Sequence, residues 1–372
     1  MQIAHLNYFP YGIDKGVYHK LKIKSELALK HEIQIKFYVL SNYKEKVNDN
    51  FEIISISNVN IVLKKFFRYL VIEKNFDFSK YDKIILRYPK CNDFSSNYFI
   101  KKYGHKIYSE HHTLEIDEFA SYGKGLRNRF KILLEKRKIK FYVNNVKGII
   151  GVTNEIINSK TIYLKDSKPV FLFSNGSSFN KSFQNFKSSE CLNFLFVCTV
   201  FSPWTGLERL LNSLNNYNFD RCIKITLIGK LSKEQLNLVD RVNKKNLLSI
   251  YATGLVPPEK LEEYYQEADA CFGTLALYKK NMKEACSLKV RGALSYGKPV
   301  IYAYDDTDFT GNEKWNLKFE SNDSLLDIGK ILSFTEELRK DENMVSEIEE
   351  YFEKNISWVS KLKNLEKFCN QN

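Results

Sequence analysis

The stretch Glu284-Ala285-Cys286-Ser287-Leu288-Lys289-Val290-Arg291-Gly292-Ala293-Leu294-Ser295-Tyr296-Gly297-Lys298-Pro299-Val300-Ile301 decides the architecture of this chain. An acidic residue precedes a short turn with a serine. A basic amphipathic helix follows, then a Gly-Lys-Pro break and an apolar strand. The order describes a loop feeding a helix N-terminus and a strand returning to a sheet. At such a terminus the first backbone N–H groups lack intrahelical partners and the helix dipole is positive, so a phosphate can be held there. Glu284, beside it, can accept hydrogen bonds from hydroxyls. The pattern suits a ligand that joins a diphosphate to a polyol. The competing reading is an ordinary helix–strand joint of an α/β domain, and the rest of the chain decides between them.

Working outward, apolar runs predict strands over 193–197, 223–228, 249–253, 270–272 and 299–303, with helices over 207–214, 233–244, 258–267 and 288–296. The first half alternates in the same way. Its strands are expected over 3–8, 33–40, 51–56, 83–88, 106–109 and 148–152, and its helices near 17–30, 61–73, 96–103 and 124–147. Between the halves, residues 172–191 turn to Ser, Asn, Phe and Lys without periodicity, and Ser174-Asn175-Gly176 reads as a junction. Strand–helix alternation implies parallel sheets. The expected organisation is an α/β chain with a Rossmann-like domain over 1–173, a linker over 174–190, a second Rossmann-like domain over 191–350 and a C-terminal helix over 351–372 that returns to the first domain. Ligands of such open sheets lie at the C-terminal ends of the strands, here in a cleft between two of them. No Gly-x-Gly-x-x-Gly or Gly-x-x-x-x-Gly-Lys-Ser/Thr loop occurs, which removes the main support for a dinucleotide or P-loop protein.

At 372 residues, with 44% hydrophobic and 14% aromatic residues, the chain predicts two or three domains, each large enough for a proper core, and is neither disordered nor fibrous. No apolar run is long enough to span a bilayer. The start, Met1 to Phe9, reads as a first strand rather than a signal peptide. Seven scattered cysteines without a Cys-x-x-Cys pair predict reduced thiols, a cytoplasmic protein and no structural zinc. The net charge of +13 is uneven. Lys124, Arg127, Arg129, Lys131, Lys136, Arg137, Lys138, Lys140 and Lys147 face one acid, Glu135, and Leu126, Phe130, Leu133, Leu134 and Phe141 interleave them at helical spacing. Such a helix can lie on an anionic membrane surface, on nucleic acid phosphates, or simply in water. A nucleic-acid-binding protein is disfavoured, because the aromatics follow no RNP-like motif and the charge sits in one helix rather than across a sheet face.

The segment Phe201-Ser202-Pro203-Trp204-Thr205-Gly206-Leu207-Glu208-Arg209-Leu210-Leu211 resembles the Trp-His-Gly-x-x-Arg-Leu-Leu block that opens the second domain of bacterial GT-B glycosyltransferases of the retaining family-4 type. Residues 223–229, 252–254 and 261–272 resemble the strand and helix signatures that follow it. The run from Gly273 to Arg291 is similar to that branch's Gly-x-Leu-Gly-Leu-His-Arg-Lys…Glu-Ala-Ser-x-Leu-Lys-x-Arg-Glu-Tyr segment. Asp14-Lys15-Gly16-Val17 resembles the loop after strand one. The likeness spans most of the chain and is specific over 196–301.

The resemblance implies a transferase moving a sugar from a nucleotide diphosphate to an acceptor hydroxyl with retention of anomeric configuration, and needing no metal or other cofactor. It places Glu284 on the donor sugar, and Ser287, Leu288 and Lys289 at the helix start facing the diphosphate. Gly16 falls at a close backbone approach, and His111 or His112 in the region that reaches the sugar. Two departures stand out. The family's second glutamate, eight positions after Glu284, is Gly292, and the usual Lys or His is Thr205. Lys279, Lys280 and Arg209 are therefore the candidate cations for the diphosphate, with Trp204 beside them. Asp305, Asp306 and Asp308 could mimic a metal site but read better as loop and cap residues. The acceptor is expected to be a surface polysaccharide on a lipid carrier, with Lys124, Arg127, Arg129, Lys136 and Arg137 on the inner face of the plasma membrane. A catalytically weakened subunit acting as a partner protein is the alternative that Gly292 and Thr205 suggest.

Overall fold

The computed structural model describes residues 1–117, 125–180 and 189–372. Contacts divide them into two units, Met1–Ser174 with Trp358–Asn372, and Asn175–Ser357. The first unit contains β1 (Ile3–Tyr8), β2 (Ile35–Ser41), β3 (Glu45–Asn48), β4 (Phe51–Ser55), β5 (Lys83–Arg87), β6 (Ile107–His111), β7 (Gly148–Gly151) and β8 (Val170–Leu172). They form one sheet in the order β3-β4-β2-β1-β5-β6-β7-β8. Each neighbour is parallel except β3, which runs antiparallel to β4. Successive side chains leave a strand on opposite faces. Accordingly Ile84 and Leu86 of β5 enter one core cluster and Ile85 the other. Burial on both faces explains why these strands read as apolar runs rather than alternating ones.

Local chemistry sets the helices. Helix α1 (Lys15–Lys30) starts where the Asp14 carboxylate accepts from the N–H groups of Gly16 and Val17. The single helix expected over 61–73 is two, α2 (Ile61–Phe66) and α3 (Arg68–Asn75), separated at Phe67. The cause is distant in sequence. Asp93 Oδ2 accepts from the Arg68 N–H at 2.6 Å and Ser95 Oγ from the Leu70 N–H at 3.1 Å, capping α3 from another loop. Helices α4 (Ser96–Tyr103), α5 (Leu126–Asn145) and α6 (Asn154–Thr161) follow. In α5 the one acid, Glu135, points inward with Ile139, Tyr142 and Val143. It accepts from the Tyr88 hydroxyl at 2.5 Å and the Asn92 N–H at 2.9 Å. Among the described side chains, Arg129, Lys136, Arg137 and Lys140 are exposed, while Lys138 donates to the Asp93 carbonyl.

The second unit contains β9 (Leu192–Val200), β10 (Ile223–Lys230), β11 (Leu248–Gly254), β12 (Ala270–Phe272), β13 (Glu284–Ala285), β14 (Val300–Tyr302), β15 (Asp305–Asp306) and β16 (Asn316–Lys318). The main sheet is parallel in the order β11-β10-β9-β12-β14-β16, and β13 pairs with β15 separately. Its helices are α7 (Leu207–Asn215), α8 (Lys233–Val242), α9 (Leu261–Glu267), α10 (Leu288–Ser295), α11 (Ile328–Arg339) and α12 (Met344–Asn355). Leu192, Phe194 and Phe196 of β9 pack into one cluster and Leu195 into the other. Cys191 and Cys222, each one residue before a strand, form a disulfide, which corrects the expectation that all seven cysteines are reduced. Parallel pairing of β9 with β10 sets Leu192 beside Ile223 and so brings the preceding residues together. The remaining five cysteines are buried thiols.

The last helix, α13 (Trp358–Gln371), belongs to the first unit. Trp358, Leu362, Leu365 and Cys369 share a core cluster with Ile3, Leu21, Ala28 and Phe173. Lys24 is buried beneath it, its ammonium 4.4 Å from the centres of both the Phe173 and Trp358 rings. Burial, with the charge of Lys20 adding, pushes that amine well below its ordinary range.

Candidate functional site

In the second unit the loop before α10 is built by pairing and by one buried arginine. Glu284 and Ala285 lie in register with Asp305 and Asp306. Arg291, wholly buried on α10, donates from Nη1 and Nη2 to the two oxygens of Asp306 at 2.6 Å each and from Nη2 to Asp308 at 2.5 Å. Its Nε donates to the Asn175 carbonyl at 3.1 Å, and Asn175 Nδ2 donates to the Cys286 carbonyl at 2.9 Å. Burial alone would weaken the guanidinium's hold on its proton, but the Asp306 and Asp308 charges more than offset this and hold it well above its usual range. The arginine thus ties α10, the 305–308 turn and the Asn175 strand of chain into one frame. Of the aspartates weighed as a metal mimic, Asp306 and Asp308 are its partners and Asp305 pairs with Lys318.

This frame presents the start of α10. Ser287 is the N-cap residue and makes no side-chain capping bond to the first turn. Leu288 is exposed, and Lys289 reaches back to Thr274 Oγ1 at 3.3 Å. The turn over Pro203–Thr205 meets the 274–280 loop. The Leu275 N–H donates to the Thr205 carbonyl at 2.9 Å, and the Lys280 ammonium lies 4.3 Å from the centre of the Trp204 ring. Gly206 makes this possible with a φ of 82°, where a Cβ would stand 2.8 Å from the Leu275 carbonyl carbon. Lys279 is exposed on the same turn as Lys280. Arg209 acts differently from the other cations. It is buried, donating to the carbonyls of Leu275 and Ser324 at 2.7 Å each, and so braces the loop. A Cβ at Gly292 would come 2.9 Å from the Tyr265 hydroxyl, and Tyr265 stacks on Tyr296 at 4.6 Å. That ring occupies the space a longer side chain at 292 would need.

In the first unit the paired histidines separate. His111 is buried, with Nε2 3.0 Å from Ser109 Oγ and Nδ1 2.9 Å from Glu115 Oε1, and Lys160 completes the cluster on Glu115. His112 instead lines a cavity of about 390 Å³ at the C-terminal ends of β1, β5 and β6. Its Nε2 is 3.0 Å from Glu110 Oε2 but not aligned for a hydrogen bond. Burial lowers its pKa to about 3 against the pull of Glu110, with Arg87 adding, so the ring is neutral at physiological pH. Gly16 sits in the first turn of α1, its N–H donated to Asp14 Oδ1 at 2.9 Å, and is not among the residues lining this cavity. On α5, Arg129, Lys136 and Arg137 are exposed together with Leu126, Phe130 and Leu133. Lys124 and the Arg127 side chain lie outside the described residues, as does part of the expected linker. Among the described residues no helix is long and apolar enough to cross a membrane.

Sequence reading missed the supporting groups. Arg291 was visible as a residue, but its partners Asp306 and Asp308 could be assigned only once β13 was set beside β15. Glu110 and Arg87 gave a fainter signal as charged residues ending otherwise apolar strands.

No family model matches the sequence, and no curated protein matches it. Solved structures do resemble it over its whole length. Sucrose-phosphate synthase from Thermosynechococcus elongatus is 13% identical, with 100% of this chain and 99% of that one covered at a TM-score of 0.65. A glycosyltransferase from Rickettsia africae is 14% identical, with 99% and 98% covered at 0.64. Anabaena Alr3699/HepE in complex with UDP and glucose is 12% identical, with 99% and 100% covered at 0.62. The chain has the GT-B fold these structures share.

Proposed function

We propose that this chain is a glycosyltransferase that moves a sugar from a nucleoside diphosphate to a hydroxyl of a glycan acceptor, with retention at the anomeric carbon. The observation that carries the reading is the start of α10, whose N-cap makes no side-chain bond and which is held by Arg291, with Glu284 just before it in the chain and Lys289 in its first turn. Free N–H groups and nearby ammonium groups stabilise the charge that develops on a departing diphosphate. The bond from the sugar's C1 to the diphosphate breaks, a bond from the acceptor oxygen to C1 forms, and the hydroxyl proton leaves with the nucleoside diphosphate. Glu284 orients the donor's sugar hydroxyls, and in the first unit His112 lines the cavity while His111 holds Glu115 in place. No side chain is assigned as a covalent nucleophile. The fold supports the same reading, since a structural neighbour was captured with UDP-glucose.

No metal enters this mechanism, because Asp306 and Asp308 serve Arg291. The acceptor in this reading is a lipid-linked surface polysaccharide such as capsule or lipopolysaccharide, and nucleic acid is not a partner. The exposed apolar and basic residues of α5 favour residence on the cytoplasmic face of an anionic membrane. Thermal-shift screening of UDP, GDP and ADP tests donor binding, and release of nucleoside diphosphate from the matching nucleotide-sugar tests transfer. A stabilising nucleotide without turnover would turn the reading to that of a weakened partner subunit. No stabilising nucleotide would end it.

A further inference from the structure

The cavity in the first unit has a composition that the transfer reading does not use. Its wall includes Lys64, Lys65, Arg68, Arg87 and Lys90. Against these five stand Glu110 and Glu115 on the wall and Asp93 beside it, with Glu115 paired to Lys160, Asp93 to Arg68 at 3.6 Å, and Lys64 donating to the Ser57 carbonyl at 3.3 Å. Lys90 holds a φ of 69°, a left-handed backbone that a lysine adopts only at a cost of order 1 kcal/mol, and such strain gathers at ligand sites. Two buried polar atoms of residues that line it lack a hydrogen bond. One is Glu110 Oε1, on a residue 1% exposed whose other oxygen accepts from His5 Nε2 at 3.0 Å. The other is His112 Nε2. An unpartnered buried carboxylate oxygen costs roughly 1–3 kcal/mol or more unless something completes it. Tyr8, Tyr11 and Tyr88 supply aromatic surface beside these groups.

Cations call for an anion, and an orphaned carboxylate oxygen calls for a hydroxyl donor. Both demands are met by one small molecule only if it carries acid and alcohol groups together. We propose that this cavity binds an acidic sugar, bearing a phosphate monoester or a carboxylate, as the acceptor unit of the transfer reaction. The acid lies toward Lys65, Arg87 and Lys90, and a sugar hydroxyl donates to Glu110 Oε1. The assignment as acceptor rests on the transfer reading, whereas the acid-sugar chemistry rests on the cavity alone.

The full chain is titrated with glucose 6-phosphate, glucuronate and glucose. At least one of the two acids should bind ten-fold or more tighter than glucose, and which of them does so identifies phosphate or carboxylate as the group recognised. That affinity should fall ten-fold in Arg87→Ala. Lys65→Ala, at an exposed position that leaves folding undisturbed, should weaken it and flatten its salt dependence. Glu110→Gln should reduce the preference for the acid sugar over its bare anion, inorganic phosphate or acetate, because only the sugar brings hydroxyls to Oε1. Equal binding of all three sugars, binding of none, or wild-type affinity in both cation variants overturns the proposal. UDP titration of the same samples separates this outcome from the fate of the transfer reading. UDP binding without acid-sugar binding sinks only the cavity assignment, and acid-sugar binding without any bound nucleotide sinks only the transferase.

Discussion

At the scale of single residues, the site separates groups that meet ligand from groups that hold others in place. In the proposed transfer Glu284 belongs to the first kind. Glu284→Ala should lower turnover about 100-fold, equivalent to about 2.7 kcal/mol of transition-state stabilisation, with little change in melting temperature because its loop carries little core. Wild-type turnover in that variant would remove Glu284 from the site. Lys280→Ala should weaken a nucleoside diphosphate more than the bare nucleoside, since an ammonium acts on phosphate charge and not on the base. Equal losses for both ligands would reduce Lys280 to a partner of Trp204. Arg291 is of the second kind. Breaking its buried pair by Arg291→Met should destabilise the chain by about 3–5 kcal/mol, measured by denaturant unfolding, because two aspartates are left uncompensated. The sequence makes Glu284 and the helix start legible through order alone: acid, turn, helix. It leaves Arg291 silent, because its role depends on Asp306 and Asp308, fifteen and seventeen positions away.

At the scale of elements, the apolar strands are readable wherever both faces are buried, as in β1, β5 and β9. Those that escape the reading are short or polar. Strand β3 is Glu-Lys-Val-Asn, β8 is a three-residue edge, and β13 and β15 are two-residue pairs that exist only through each other. The break between α2 and α3 escapes for a different reason, since Asp93 and Ser95 impose it from outside the local window. The end of β6 carries the titrating groups and a pH prediction. His112 sits at about 3 against an ordinary 6.5, and Glu115 at about 2 against 4.5. For Glu115, burial alone would push the carboxyl up, and His111 and Lys160 more than offset it. Both folded values lie below the unfolded ones, so the unfolded chain binds protons first as pH falls. Stability is therefore complete above about pH 6.5, declines from there to about 3 through His112, and from about 4.5 to about 2 through Glu115 as well, by up to about 1.4 kcal/mol per pH unit for each group. His112→Gln should flatten the upper part of that slope in urea unfolding. An unchanged slope between pH 6 and 5 would show that His112 titrates normally.

At the scale of the whole molecule, the surplus positive charge is organised by α5, whose only acid is turned inward. If that surface rests on lipid, binding to vesicles should require anionic headgroups and fade with salt, since the Debye length is about 8 Å at physiological ionic strength. Changing Arg127, Arg129, Lys136 and Arg137 together to Glu should release the protein from such vesicles and leave nucleotide binding unchanged. Pelleting of that variant with anionic vesicles, or indifference of the wild type to them, would return α5 to a merely hydrated surface. The last helix has a consequence of its own. Because α13 completes the core around Ile3, Leu21 and Phe173, the unit whose strands leave the ribosome first is the one that closes last. The second unit has all of its residues once Ser357 is made. The first one must wait with its apolar floor open until Trp358 and Leu362 emerge, so the time taken to translate residues 175–357 governs how long a newborn chain is exposed to aggregation and chaperones.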